Sequence, residues 1–187
     1  LAVKQADALV FGSLACRDEA SKHTLHSLLE LAAFKVFDVN LRPPFVDLAS
    51  IEFLMKQSGF IKLNDEELLI VAKAFGSLSN ETEENVRFLS TKTNTNTICI
   101  TKGKDGATLF VNNQFYSNKG YEVKVEDTIG AGDSFLAALL SQMLVSNDYH
   151  KALAYACAVG ALVASKKGAN PDIKAEEIAD LLKQQDV

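Results

Sequence analysis

The sequence predicts a three-layer α/β/α fold: a mostly parallel sheet covered by helices on both faces, with an antiparallel hairpin at one edge. Two observations carry this. Short apolar runs that suit buried strands alternate with longer stretches whose apolar residues recur at helical spacing. That rhythm breaks at "KDG" (Lys104–Gly106), where two strand-like runs follow one another with only turn residues between them.

The elements follow in order. "ALVFGS" (Ala8–Ser13) reads as a buried strand, and Asp18 to Ala33 as a helix with Leu25, Leu28, Leu29 and Ala32 on one face. "FKVFDVN" (Phe34–Asn40) is a second strand, stopped by "RPP" (Arg42–Pro44). Asp47 to Gln57 is helical, "GFIKLN" (Gly59–Asn64) is a third strand, and "DEELLIVAKAF" and Glu81–Ser90 are helices. "NTICITKG" (Asn96–Gly103) is a fourth strand, joined through "KDG" to "ATLFV", which turns at "NNQ" (Asn112–Gln114) into "FYS". "YEVKVED" (Tyr121–Asp127) alternates as a further strand. Helices follow at about Ala131–Val145, Tyr149–Lys166 and Lys174–Lys183. No internal repeat, low-complexity segment or linker interrupts the series, so residues 1–187 read as a single α/β domain.

Composition narrows the function. The 187 residues are 48% hydrophobic, enough for one sizeable core. A net charge of −5 argues against a general nucleic-acid binder. The most apolar run, Ala152–Ala164, falls short of the ~20 residues that span a bilayer, and no signal-peptide pattern is visible. Cys16, Cys99 and Cys157 stand apart in apolar contexts and read as reduced, buried thiols of a cytoplasmic protein. His23 and His26 lie one helical turn apart, but no cluster completes a metal site, and an ordinary helix surface is expected there.

The chemistry concentrates in "DTIGAGDSFLAALL" (Asp127–Leu140). Gly130 and Gly132 allow a sharp turn and bring bare backbone close to a ligand. The helix behind them aims unpaired N–H groups and its positive end at the same spot, which suits an anion. Asp133 falls in the first helical turn, where a carboxylate also serves as a plain cap. An anion pocket beside a carboxylate fits transfer of a phosphoryl group to a hydroxyl: the amides stabilise charge and the carboxylate takes the proton. The dinucleotide fingerprint fails because Phe135 occupies its third glycine, and no P-loop is present. Ligands of open α/β sheets gather at the carboxyl ends of strands, where Asn40, Arg42, Asn64, Lys102 and Asp127 fall.

"DTIGAGDSF" resembles the C-terminal signature of the ribokinase-like, or PfkB-type, carbohydrate kinases. "DVNLR" (Asp38–Arg42) is similar to the D-x-N-x-R segment of that family, common among its fructokinases and ketodeoxygluconate kinases. "NDEE" (Asn64–Glu67) is similar to its N-x-x-E motif, "TKGKDG" (Thr101–Gly106) to its T-x-G-x-x-G nucleotide loop, and "ASKKGANP" (Ala164–Pro171) to the segment closing its adenine pocket and monovalent-cation site. Together they run in order over most of the chain. The resemblance implies a Rossmann-like, ribokinase-like fold and ATP-dependent phosphorylation of a sugar, fructose first, with ribose, 2-keto-3-deoxygluconate or a nucleoside as alternatives. A nucleotide-binding module without transfer is the competing class.

By the same resemblance Asp133 is the base, and Gly130, Ala131 and Gly132 form the anion hole. Asn64, Thr101, Lys102, Gly103 and Gly106 line the ATP site, with Cys157 against the adenine where ribokinase has an asparagine. Asn40, Arg42 and Asp133 face the sugar. Glu67 acts on Mg2+ through water, and Asp127 with the backbone of Ile129, Val163, Lys166 and Gly168 holds K+. Structural alternatives stand beside several of these. Asn64 equally suits a helix cap, Thr101–Gly106 a plain hairpin, Glu67 a solvated helix face, and Arg42 an ion pair with Asp38 or Asp47. The Gly-Gly sugar motif and lid strands of the family are absent, so a C-terminal portion lacking the N-terminal part and lid is expected. Such a portion should show little transfer alone and an exposed sheet edge that favours self-association, for example as a homodimer. Sugar and ATP are its expected partners, with no nucleic acid and no membrane.

Overall fold

Apolar, β-branched and aromatic runs form six strands among the described residues, 2–42 and 47–184, of a computed structural model. They are β1 (Leu9–Gly12), β2 (Lys35–Asp38), β3 (Phe60–Asn64), β4 (Thr97–Thr101), β5 (Ala107–Val111) and β6 (Gln114–Asn118), hydrogen-bonded into one sheet in that order. β1 and β2, and β2 and β3, are parallel. Asn112 and Asn113 both take positive φ, 48° and 69°, the geometry of a two-residue turn that makes β5 and β6 an antiparallel hairpin. The mixed α/β architecture read from the sequence is therefore present. The chain divides into two compact units, Leu1–Ile100 with Phe110–Gln114, and Thr101–Leu109 with Phe115–Val187.

In the first unit, β2 and β3 are buried on both faces, which is why they read as continuous apolar runs. Register places Phe11 beside Phe37 and Phe37 beside Ile61, and the first two rings stack at 5.3 Å. The helices are α1 (Glu19–Leu29), α2 (Leu48–Gln57), α3 (Asp65–Ala74) and α4 (Thr82–Thr93). Asp18 caps α1 by accepting the Ala20 and Ser21 amides at 3.0 and 3.1 Å. Asp47 caps α2 through the Ala49 amide. Asn94 ends α4 in the left-handed region at φ 56°. The buried hydroxyl of Thr95 then reaches the carbonyls of Met55 and Ser58, tying the end of α4 to the end of α2. β1 lies at the edge of the sheet with Val10 half exposed, as expected of an open edge.

The second unit is built around α5 (Ala131–Met143), α6 (Tyr149–Ala164) and α7 (Ala175–Lys183). Alanines let α5 and α6 approach closely: a Cβ on Gly160 would lie 3.3 Å from that of Phe135. α7 packs Ile178 and Leu181 inward, as its apolar stripe predicts.

Three expectations are corrected. Tyr121–Asp127 forms no strand. Alternation marks a half-buried face but does not supply a neighbouring backbone, and the Glu126 and Asp127 amides instead donate to the Ala164 carbonyl at 2.9 and 3.2 Å. The turn at Lys104–Gly106 joins β4 to its sheet neighbour β5 as read, through a 3-10 turn, Gly103–Asp105, with the Gly106 amide on the Gly103 carbonyl at 3.2 Å and the Lys102 amide on the Gly106 carbonyl at 2.8 Å. Ser13 begins a 3-10 turn, Ser13–Cys16, rather than ending β1, and Cys16 is half-buried while Cys99 and Cys157 are buried. α1 stops at Leu29, short of Ala33. Of the stop read at Arg42–Pro44, the two prolines lie outside the described residues.

Phe37 is fully buried. Phe37→Ala is expected to cost about 3–5 kcal/mol, read as a lower urea midpoint at unchanged slope.

Candidate active site

The elbow in the second unit is built by an Asx turn and a left-handed glycine. Asp127 accepts the Ile129 amide at 3.0 Å, and the Ala131 amide closes on the Thr128 carbonyl at 3.3 Å. Gly130 then takes φ 79° as the N-cap of α5. A Cβ there would lie 2.1 Å from the Ala169 carbonyl oxygen, so the position excludes any side chain both by conformation and by space. Ser134 is the first residue to reach back in the helical manner, at 2.9 Å from the Gly130 carbonyl. The amides of Gly132 and Asp133 therefore point out of the helix start, into the positive end of the α5 dipole. Asp133 is exposed in the first turn and has no hydrogen-bond or ion-pair partner among the described residues. This sets a carboxylate beside two outward amides, an arrangement that suits an anion, with both groups open to solvent.

Two further pieces belong to the same unit. In the Thr101–Gly106 loop, Gly106 turns at φ 80°, where a Cβ would collide with the Asn118 carbonyl at 2.0 Å. The Lys102 ammonium donates to Thr108 at 2.7 Å, and Thr108 shares a 3.2 Å bond with Ser117. Its partner there is a hydroxyl, and it forms no ion pair among the described residues. Beyond α6, the Gly168 amide donates to the second Asp127 oxygen at 3.3 Å. Around Asp127 the sequence-assigned donors are all oxygens. The Val163 carbonyl already accepts the Lys166 amide at 3.1 Å, and Ile129 is 64% exposed. An oxygen-only set suits a hard or alkali cation rather than a soft metal. Cys157 is buried on α6, and burial pushes its thiol up to about 12, so it presents a neutral apolar surface.

In the first unit, Glu67 is a staple and not a solvated face. It is buried, and its two oxygens accept the Leu41 and Asn64 amides at 2.8 and 2.9 Å. Asn64 caps α3 in return, accepting the Glu67 amide at 2.7 Å. The staple binds the end of β2 to the end of β3. It holds Asn40 at φ 44°, with the Asn40 carbonyl accepting the Ser13 hydroxyl at 3.0 Å. Lys62 and Asp38, register partners on the two strands, form a buried ion pair at 3.0 and 3.1 Å. Asp38 opens the "DVNLR" segment, but nothing in the sequence marks Lys62, the one charged residue inside the β3 run, as its partner. Arg42 is exposed, and among the described residues its guanidinium meets the Leu41 carbonyl, at 3.4 Å. The His26 ring lies tilted by 38° against Phe53, centroids 4.6 Å apart, and among the described residues no group of three or more His, Cys, Asp or Glu is placed to hold a metal.

Comparison with known proteins places this geometry. The family described as pfkB family carbohydrate kinase matches residues 1–176, and the chain belongs to that family. It is 30% identical to a fructokinase of Solanum tuberosum over 193 residues, 97% of this chain and 57% of that protein. It is 31% identical over 102 residues to an ATP-dependent ribose-1-phosphate kinase of Halopiger xanaduensis, 54% of this chain and 34% of that protein. Among solved structures, it superposes on the fructose-, ADP- and calcium-bound fructokinase of Vibrio cholerae with a TM-score of 0.81 at 25% identity, covering 94% of this chain and 60% of that one. The fold is thus the ribokinase-like one, and the chain spans 34–60% of the length of these relatives. No helix among the described residues is long and apolar enough to cross a membrane.

Two outcomes test the local geometry. Gly130→Ala should cost about 1–3 kcal/mol from the left-handed backbone alone, with the displacement of Ala169 added, measured by thermal and urea unfolding. In the folded chain at pH 8, iodoacetamide should leave Cys157 unmodified, by peptide mass spectrometry, and label it after denaturation.

Proposed function

We propose that this chain carries the nucleotide-binding and phosphoryl-transfer portion of an ATP-dependent sugar kinase whose acceptor is fructose. The observation that carries the reading is the open start of α5: a left-handed Gly130 pressed against Ala169, outward amides at Gly132 and Asp133, and the unpartnered Asp133 carboxylate. The elbow of Gly130, Ala131 and Gly132 would stabilise the charge of the migrating phosphoryl through the outward amides of Gly132 and Asp133, the Ala131 amide being turned to the Thr128 carbonyl, and Asp133 would take the proton of the acceptor hydroxyl. Thr101, Lys102, Gly103 and Gly106 would bind the phosphates and ribose, with Lys102 supplying positive charge and Cys157 an apolar wall for the base. In the first unit, Asn64 would serve the nucleotide and Asn40 and Arg42 the sugar.

Two cations enter this reading. Glu67 retains a lone pair on each oxygen beyond its two amide bonds, which fits contact with Mg2+ through water. Asp127, with the carbonyls at Ile129, Val163, Lys166 and Gly168, would hold K+. When bound, the magnesium ion neutralises phosphate oxygens.

Fructose is preferred because fructokinases recur among the relatives, the Vibrio cholerae enzyme with fructose and ADP bound being one of them. Three free thiols support a cytoplasmic setting, and the open β1 edge supports association of copies. The exposure of Asp133 supports slow transfer by this chain alone, because solvent competes with the acceptor hydroxyl.

The test is calorimetry with ADP, together with single-turnover transfer from ATP to fructose, ribose, 2-keto-3-deoxygluconate and a nucleoside. The chain is expected to bind ADP and to transfer slowly, to fructose in preference. Asp133→Asn should lower transfer by about 10²–10⁴-fold while ADP affinity holds. Undiminished transfer by that variant overturns the assignment of the base, and ADP binding without transfer to any acceptor favours a nucleotide-binding module.

A further inference from the structure

The segment between α6 and α7 is held by a carboxylate that the transfer chemistry does not use. Glu177, in the first turn of α7, accepts the Lys174 amide at 2.9 Å. A helix cap needs no more than that. Both Glu177 oxygens also meet the Lys166 ammonium, at 2.8 and 2.9 Å, and the same ammonium donates to the Asp172 carbonyl at 2.8 Å. Lys166 thereby folds the intervening backbone back onto the start of α7. The other side of this backbone faces the elbow: the Gly168 amide donates to Asp127, and the Ala169 carbonyl fills the space beside Gly130. Every link lies within the second unit.

We infer that Glu177 is a positioning residue for the anion site, acting through Lys166 and the 165–170 backbone to hold Gly130 and Asp127 in place. The inference rests on the phosphoryl-transfer reading for its meaning but not for its test. The ion pair is about one-third exposed on both sides, and pairs of that kind add little to global stability. Its contribution is local: an ammonium with its donors committed to one carboxylate and one carbonyl selects a single path for the loop.

The experiment is amide hydrogen exchange on the intact chain, comparing wild type with Glu177→Gln, Lys166→Met and Lys166→Arg. Glu177→Gln and Lys166→Met should speed exchange in 127–133 and 165–170 by about fivefold, leave the buried turns of α5 unchanged, and barely move the melting temperature. Lys166→Arg keeps the charge and should restore protection. Faster exchange confined to α7 would overturn the inference, because Glu177 would then be a helix cap and nothing more. Calorimetry with ADP separates the two readings. Weaker binding by Glu177→Gln supports both, while failure of the wild type to bind ADP counts against the phosphoryl-transfer reading and leaves the exchange result to decide this one.

Discussion

The geometry of the elbow before α5 depends on one steric constraint, the absence of any side chain at Gly130. The Ala169 carbonyl occupies the place a Cβ would take, and the positive φ that this contact demands turns the chain so that α5 begins with its amides outward. Close approach of backbone to backbone is available only to glycine, and here it joins two segments that are distant in sequence. The Asx turn at Asp127 reinforces the same bend, since one oxygen serves Ile129 and the other Gly168. Charge placement follows from this: Asp133 stands in the first turn of a helix whose dipole favours negative charge.

The first unit solves a comparable problem with a buried carboxylate. Glu67 satisfies two backbone amides that no strand or helix would otherwise pair, at the ends of β2 and β3. The neighbouring Lys62–Asp38 pair is shielded from water. Replacing such a pair by apolar residues is often neutral, whereas removing one partner is costly, so the pair serves to fix how the two strand ends meet more than to add stability. Asn40 is held in a left-handed conformation at that junction, and asparagine tolerates this better than most residues. Exposed Arg42 follows it. Strained backbone beside an uncommitted cation is a common feature of binding sites.

Much of the architecture was legible because its signals are local. The "NN" pair of the hairpin, the Asp18, Asp47 and Asn64 caps and the continuous apolar runs of β2 and β3 each follow from a few neighbouring residues. Tyr121–Asp127 misled because alternation is a property of one segment, whereas a strand is a property of two. The candidate site was legible where glycines and a carboxylate stand in one short stretch. Other side-chain bonds were not: Lys102 to Thr108, Lys166 to Glu177, and Glu67 across to Leu41. These join residues by folding rather than by spacing, and a lysine or glutamate in sequence carries no mark of its partner.

By itself the sequence determined the order and type of most elements, the family, and the position of the elbow with its aspartate. Each depends on periodicity, on turn-forming residues or on a contiguous motif. Tertiary structure decided which groups remain available for chemistry. Glu67 is buried with each oxygen accepting one backbone amide and keeping one lone pair, Asp133 is open to solvent, and the loop after α6 is drawn against Gly130. Burial and hydrogen-bond pairing are set by what folding brings within about 3 Å, a distance that separation along the chain does not encode.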